Sequence, residues 1–178
     1  MAIYTKNNPV GIDAIIHTAQ KNLFEKLSQK WDNDIDAYPR CYVIEREDDN
    51  GVYRSIEHYK GNNEYTGTLI TSEGNKFFFL AENEFKRVSN TSFETKVDAF
   101  FILDLRTIYK DINHRSDAEV INDIYKVLNS CFKFYPVRII TDYRDVFNSF
   151  NYRFDNIQPY LILKIESKVI FDTNQQVC

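Results

Sequence analysis

Apolar and polar positions alternate most clearly between Val97 and Asn129, where VDAFFILDLRTIYKDINHRSDAEVINDIYKVLN reads as strand, loop and helix. Val97, Ala99, Phe101, Leu103 and Leu105 give one wholly apolar face, while Asp98, Phe100, Ile102 and Asp104 pass from polar to apolar and back. Successive strand side chains point to opposite faces, so the pattern predicts a central strand covered on both sides over its middle. Ser116-Asp117-Ala118-Glu119 has the spacing of a capping box, in which the Ser116 hydroxyl accepts from the Glu119 amide and the Glu119 carboxylate accepts from the Ser116 amide. Val120, Ile121, Ile124, Tyr125, Val127 and Leu128 then form an apolar stripe able to lie across the strand.

The same reading extends in both directions. Ile12, Ile15, Ile16, Ala19, Leu23 and Leu27 recur at helical spacing and predict a first helix over Gly11 to Lys30, closed by the polar Trp31-Asp32-Asn33-Asp34. After Tyr38-Pro39, the segments Cys41 to Arg46 and Val52 to Glu57 flank Asp48-Asp49-Asn50-Gly51, whose residues tolerate positive φ and close a hairpin. A second hairpin is predicted between Thr66 to Thr71 and Lys76 to Ala81, turning at Glu73-Gly74-Asn75. Its return strand carries Phe77, Phe78, Phe79 and Leu80, apolar on both faces, so it is either central or covered on one side by another chain. Glu82 to Thr95 reads as a polar connector. Val137 to Ile140 gives a short strand, Asp142 a cap for one or two helical turns through Tyr143, Val146 and Phe147, and Tyr160 to Phe171 a last strand. The tail Asp172 to Cys178 is expected to fray. These elements predict an α+β fold: one domain over residues 1–178, a mixed and mostly antiparallel sheet with two main helices packed on it and protruding β-hairpins.

Composition narrows the class. The 178 residues are 43% hydrophobic and 15% aromatic, with 12 Tyr and 14 Phe against five Gly, which describes a chain that folds. A net charge of −4 argues against a surface that wraps nucleic acid. Cys41, Cys131 and Cys178 are odd in number, widely spaced and predict no disulfide, and neither a signal-peptide core nor a membrane span is expected.

Candidate chemistry is sparse. Glu94-Thr95-Lys96, with Asp98 and Asp104 on the same face, has the local shape of a Mg²⁺-dependent nuclease half-site, in which two carboxylates hold the metal and the lysine stands beside the attacking water. No upstream Pro-Asp pair accompanies it, and a solvated strand edge is the stronger reading. His17, His58 and His114 lack a second ligand at metal-site spacing. Asp104, Arg106, Tyr109, His114 and Arg115 gather charge after the central strand, where α/β ligand sites often lie. No phosphate loop or activated nucleophile stands out, so no catalytic residue, metal or cofactor is assigned. The aromatics of the hairpin region, residues 41–81, leave two readings open: a surface for assembly, or internal packing on the first helix.

The order of an amphipathic first helix, charged hairpins, a strand ending in Asp104-Leu105-Arg106, a capped helix and the late strand from Pro159 to Ile165 resembles the small neck and tail-completion proteins of tailed bacteriophages, particularly tail-terminator and connector-ring proteins. The low-glycine, Asn/Tyr/Ile/Lys-rich style is similar to that of crAss-like phages of Bacteroidetes. The resemblance implies a structural virion protein without catalysis, assembled in the host cytoplasm as a homo-oligomeric ring between neighbouring neck and tail proteins, with DNA passing through its lumen and no membrane partner. Tyr42, Tyr53, Ile56, Tyr59, Tyr65, Phe77, Phe78 and Phe79 are then the candidate subunit interface. Such a ring needs two different faces in contact, and the hairpin edges can supply one by strand addition. The competing classes are the Mg²⁺-dependent nuclease and a cytoplasmic protein-binding module.

Overall fold

The computed structural model describes residues 2–49, 51–62, 64–68, 70, 73–148 and 159–173. Along these residues run β1 (Ala2–Ile3), α1 (Ile12–Trp31), β2 (Ile35–Asp48), β3 (Gly51–Gly61), β4 (Glu64–Gly67), β5 (Asn75–Ala81), β6 (Lys86–Arg87), β7 (Ser92–Asp104), α2 (Asp117–Asn129), β8 (Phe134–Ile140), α3 (Tyr143–Val146) and β9 (Tyr160–Asp172). The strands make one mixed, mostly antiparallel sheet of an α+β fold, ordered β4-β3-β2-β5-β7-β9-β8, with β1 against β2 and β6 against β7. Among the described residues, only the β1–β2 and β2–β5 pairs are parallel.

The strand expected to be central is so. β7 pairs with β5 over Val97 to Ile102 and with β9 over its whole length. Its apolar face, Val97, Ala99, Phe101 and Leu103, meets α1 and α2 in a large core shared with Phe77, Phe79, Leu163 and Ile165. On the opposite face Phe100 and Ile102 join a smaller core with Phe78, Ile56, Ile162, Val146 and Phe147. The Phe78 and Phe100 rings stack at 4.9 Å. One helical turn, α3, covers this second core; Asp142 caps it as expected, its carboxylate accepting from the Arg144 amide at 2.9 Å.

Polar anchors fix the helices. Gln20 is fully buried in α1 and donates to the Tyr4 and Ala37 carbonyls at 2.8 and 3.0 Å, which ties α1 to the residue after β1 and to β2. Asp123 of α2 accepts from the Trp31 indole at 3.0 Å, from Lys30 at 2.5 Å and from the Tyr109 hydroxyl, which joins both helices to the loop after β7.

Several sequence expectations need correction. The first helix includes Trp31, whose indole supplies the anchor just described, and β2 begins at Ile35 and runs through Pro39 with an irregularity between Ala37 and Arg40. The second hairpin is different from that expected: β4 returns onto β3, while β5 pairs with β2 and β7. Leu69 and Thr71 of the expected outgoing strand lie outside the described residues, as do residues 174–178 of the tail. The turn that does form carries Gly61 at φ +114° and Asn62 at φ +51°, backbone values open to glycine and tolerated by asparagine. The connector holds β6 and the first residues of β7, Ser92 to Thr95. α2 starts where expected, but without a capping box: the Ser116 side chain makes no cap bond, and the Glu119 carboxylate is engaged by His114 Nε2 at 2.8 Å.

Candidate functional site

The expected hairpin through Asp48 and Gly51 forms in register, Asp48 opposite Gly51 and Cys41 opposite His58. β5 leaves β2 at Cys41 and β4 leaves β3 at Glu57, so the pairs from Val43–Ile56 to Asp48–Gly51 have no further strand beside them among the described residues. This two-stranded arm extends about 17 Å beyond the sheet at roughly 3.4 Å per residue. It is exposed from Glu45 outward, and Val52 stands 67% exposed. Arg46 and Glu57 make a bidentate pair at 2.6 and 2.8 Å, and Arg54 meets Glu45 at 3.3 Å. The acids of the tip, Glu47, Asp48 and Asp49, follow one another in sequence.

Only part of the expected interface is available to a neighbour. Phe77, Phe78, Phe79 and Ile56 are fully buried within the chain itself, because β5 lies between β2 and β7 with a core on each face; their assignment to a subunit interface is corrected to the chain's own core. Tyr42, Tyr59 and Tyr65 come together as an aromatic cluster, with edge contacts of 5.7 Å from Tyr42 to Tyr65 and 5.4 Å from Tyr59 to Tyr65, and Arg40 sits 5.1 Å over the Tyr42 ring. Tyr42 and Tyr59 are half-buried there, Tyr65 remains exposed, and Tyr53 stands apart and exposed on the arm. What the sequence reading missed is the far edge of the sheet. β8 has β9 as its sole described strand neighbour, and along it Tyr135, Val137 (63%) and Ile139 are exposed, with Phe132 (74%) just before it. Pro136 was the available signal, since proline within a sheet is confined to edges and bulges, and a register irregularity indeed falls between Pro136 and Arg138.

The E-x-K segment lies on the sheet face away from α1 and α2, beside a groove of about 330 Å³ bordered by Glu82, Glu84, Lys86, Glu94, Glu166 and Lys168. Lys96 is surrounded by Glu166 at 3.5 Å, Glu82 at 3.6 Å and Asp98 at 3.8 Å. Lys164 meets Glu166 at 3.2 Å and Asp98 at 3.7 Å, and Lys168 meets Glu94 at 3.8 Å. Cations therefore alternate with anions, which is a different arrangement from carboxylates converging on a metal. Burial pushes the Asp98 carboxyl above its usual range despite Lys96 and Lys164. Burial opposes the charge of Glu166 as well, but its hydrogen bond to Lys164 and the charge of Lys96 outweigh it and hold that carboxyl below its usual range. Asp104 is six residues along β7 from Asp98, about 20 Å at roughly 3.3 Å per residue, and forms a 2.6 Å pair with Arg106 instead. Among the described residues, no group of three or more His, Cys, Asp or Glu side chains is placed to hold a metal ion.

The strand-end residues also fail to converge. Arg106 holds Asp104, Tyr109 donates to Asp123, His114 meets Glu119, and Arg115 pairs with Asp117 at 2.7 Å and donates to the Tyr160 carbonyl at 3.1 Å. His58 lies buried against the stacked Tyr4 and Tyr38 rings, 5.2 Å from each, and burial lowers its pKa, as it does for His17. Cys41 and Cys131 are free and buried, and no helix among the described residues is long and apolar enough to cross a membrane.

Comparison of the chain with protein-family models, curated proteins and solved structures finds no match.

Proposed function

We propose that the chain is a structural, non-catalytic subunit of an oligomeric ring in the neck or head-proximal tail of a tailed bacteriophage, assembled in the host cytoplasm and contacting adjacent neck or tail proteins. The observation that carries this reading is the arm. A two-stranded ribbon with apolar side chains in solvent is marginal by itself, and it gains most when another chain covers it. The charge balance is consistent with a lumen through which DNA passes, because an acidic protein holds a polyanion weakly. The charged groove favours structure over catalysis, since the lysine that a nuclease would need beside water is engaged by three carboxylates.

Light scattering and negative-stain imaging of the purified chain test the proposal, with closed rings of defined mass expected. A protein that stays monomeric at high concentration and joins no larger particle refutes it. Mg²⁺-dependent DNA cleavage by the wild type, lost in Lys96→Ala, would establish the nuclease instead.

A further inference from the structure

We infer that the open edge of β8 is the acceptor for the β2–β3 arm of a second copy of this chain, so that subunits join head to tail. The inference rests on the assembly reading above and adds which surface receives the arm. Three observations carry it.

The first is that donor and acceptor cannot meet within one subunit. β2 and β8 are separated by four strand spacings, about 19 Å at roughly 4.8 Å each. A contact between two different faces of identical subunits is heterologous, and such contacts close into rings when the rotation between copies allows it. The second is level. Strand register places Cys41, Leu80, Asp98, Glu166 and Arg138 in one row across the sheet. The arm departs just beyond Cys41, and Tyr135 and Val137 lie on that same side of the row, so a neighbour displaced sideways along the sheet brings its arm to the exposed stretch of β8.

The third is chemical match. The arm offers Val43, Val52 and Tyr53 with the tip acids Glu47, Asp48 and Asp49, Glu45 being paired with Arg54, whereas the edge offers Phe132, Tyr135, Val137 and Ile139 with Arg138; Lys133 and Lys168 beside it already pair with Asp172 and Glu94. Arg138 is exposed, and no described residue forms an ion pair with it. The β8 main chain also turns hydrogen-bonding groups outward along the side away from β9, as any edge strand does. Strand addition with apolar contacts between and opposite charges around them suits a second copy of this chain.

The test mixes two variants that each spoil one side, Val52→Glu/Tyr53→Glu on the arm and Val137→Glu/Arg138→Glu on the edge. All four residues are exposed, so both proteins should unfold at the wild-type temperature. Each variant alone should be monomeric, with association weakened at least about tenfold by charges placed in an apolar contact. Mixed in equal amounts they should form a one-to-one dimer that grows no further, because each retains one competent surface. Wild-type association should also weaken as salt is raised. If the wild type forms rings and the edge variant forms them equally well, β8 is not the acceptor, although the assembly reading survives. If the arm variant alone still forms dimers, the contact is symmetric and the inference is wrong. A wild type that is monomeric overturns both readings.

Discussion

Removing the Asp123 carboxylate should loosen the packing of the two main helices by a calculable amount. Three donors converge on it: the Trp31 indole at 3.0 Å, Lys30 at 2.5 Å and the Tyr109 hydroxyl. Trp31 is buried, so in Asp123→Ala its indole N–H loses its partner inside the protein, at about 1–3 kcal/mol. Lys30 is half exposed and returns to water, so its pairing contributes about 0–1 kcal/mol. The half-buried Tyr109 hydroxyl adds a loss of about 1 kcal/mol as a hydrogen bond of ordinary net worth. The sum, about 2–5 kcal/mol, corresponds to a fall in Tm of about 4–20 °C for a chain of this size. Trp31 is the sole tryptophan, so its fluorescence reports directly on this junction during urea unfolding. The pH dependence has a definite sign. Burial opposes the charge of Asp123, but the bonds from Lys30, Tyr109 and Trp31 outweigh it and hold the carboxyl below its usual range. Its contribution is therefore complete above the ordinary aspartate value of about 3.9 and is lost as pH falls through the lower, folded-state value. The gap between wild type and Asp123→Asn should be widest near neutrality and narrow below about pH 4. An Asp123→Ala protein within about 0.5 kcal/mol of wild type, the scale of an ordinary surface change, would refute the reasoning.

Phe78→Ala should cost about 3–5 kcal/mol in denaturant unfolding, whereas Tyr53→Ala should stay within about 0.5 kcal/mol and weaken assembly, which separates core from interface by calorimetry and light scattering. Lys96→Ala should leave Glu82 without its cation and Asp98 and Glu166 with Lys164 alone; burial already raises the Asp98 carboxyl, so the variant should be less stable than wild type at neutral pH and recover as falling pH protonates that group, measured by thermal unfolding across pH. Burial pushes the Cys41 thiol up to about 12, and the Thr68 hydroxyl and Phe79 backbone offset this only in part, so Cys41 should react with a thiol reagent in urea and not in the native state.

Local pattern was sufficient wherever one segment determines its own structure. The alternation of Val97 to Leu103 identified a doubly covered strand, because two apolar faces in a short run need cover on both sides. Asp48 to Gly51 named a turn, and Asp142 named a cap, since each acts through its own backbone. The capping box failed for a related reason: Ser116 and Glu119 had the right spacing, but His114 three residues upstream of the helix competes for the same carboxylate.

Strand order was illegible for a different reason, and it decides the candidate site. A run such as Phe77-Phe78-Phe79 says that both faces are covered, not by what. β5 could be a hairpin partner of β4 or an inner strand between β2 and β7, and both satisfy the same alternation. Long-range pairing with β7 settles it, turning three phenylalanines from a proposed contact into core and leaving the β2–β3 hairpin, from the Val43–Ile56 pair outward, without a strand beside it among the described residues. The same ordering makes β8 an edge, so that Val137 and Ile139, apolar residues in an ordinary strand by sequence, become an exposed row. Arm and edge are thus two consequences of one strand order, which is why surfaces at opposite ends of the sheet are the proper targets for testing how copies of this chain meet.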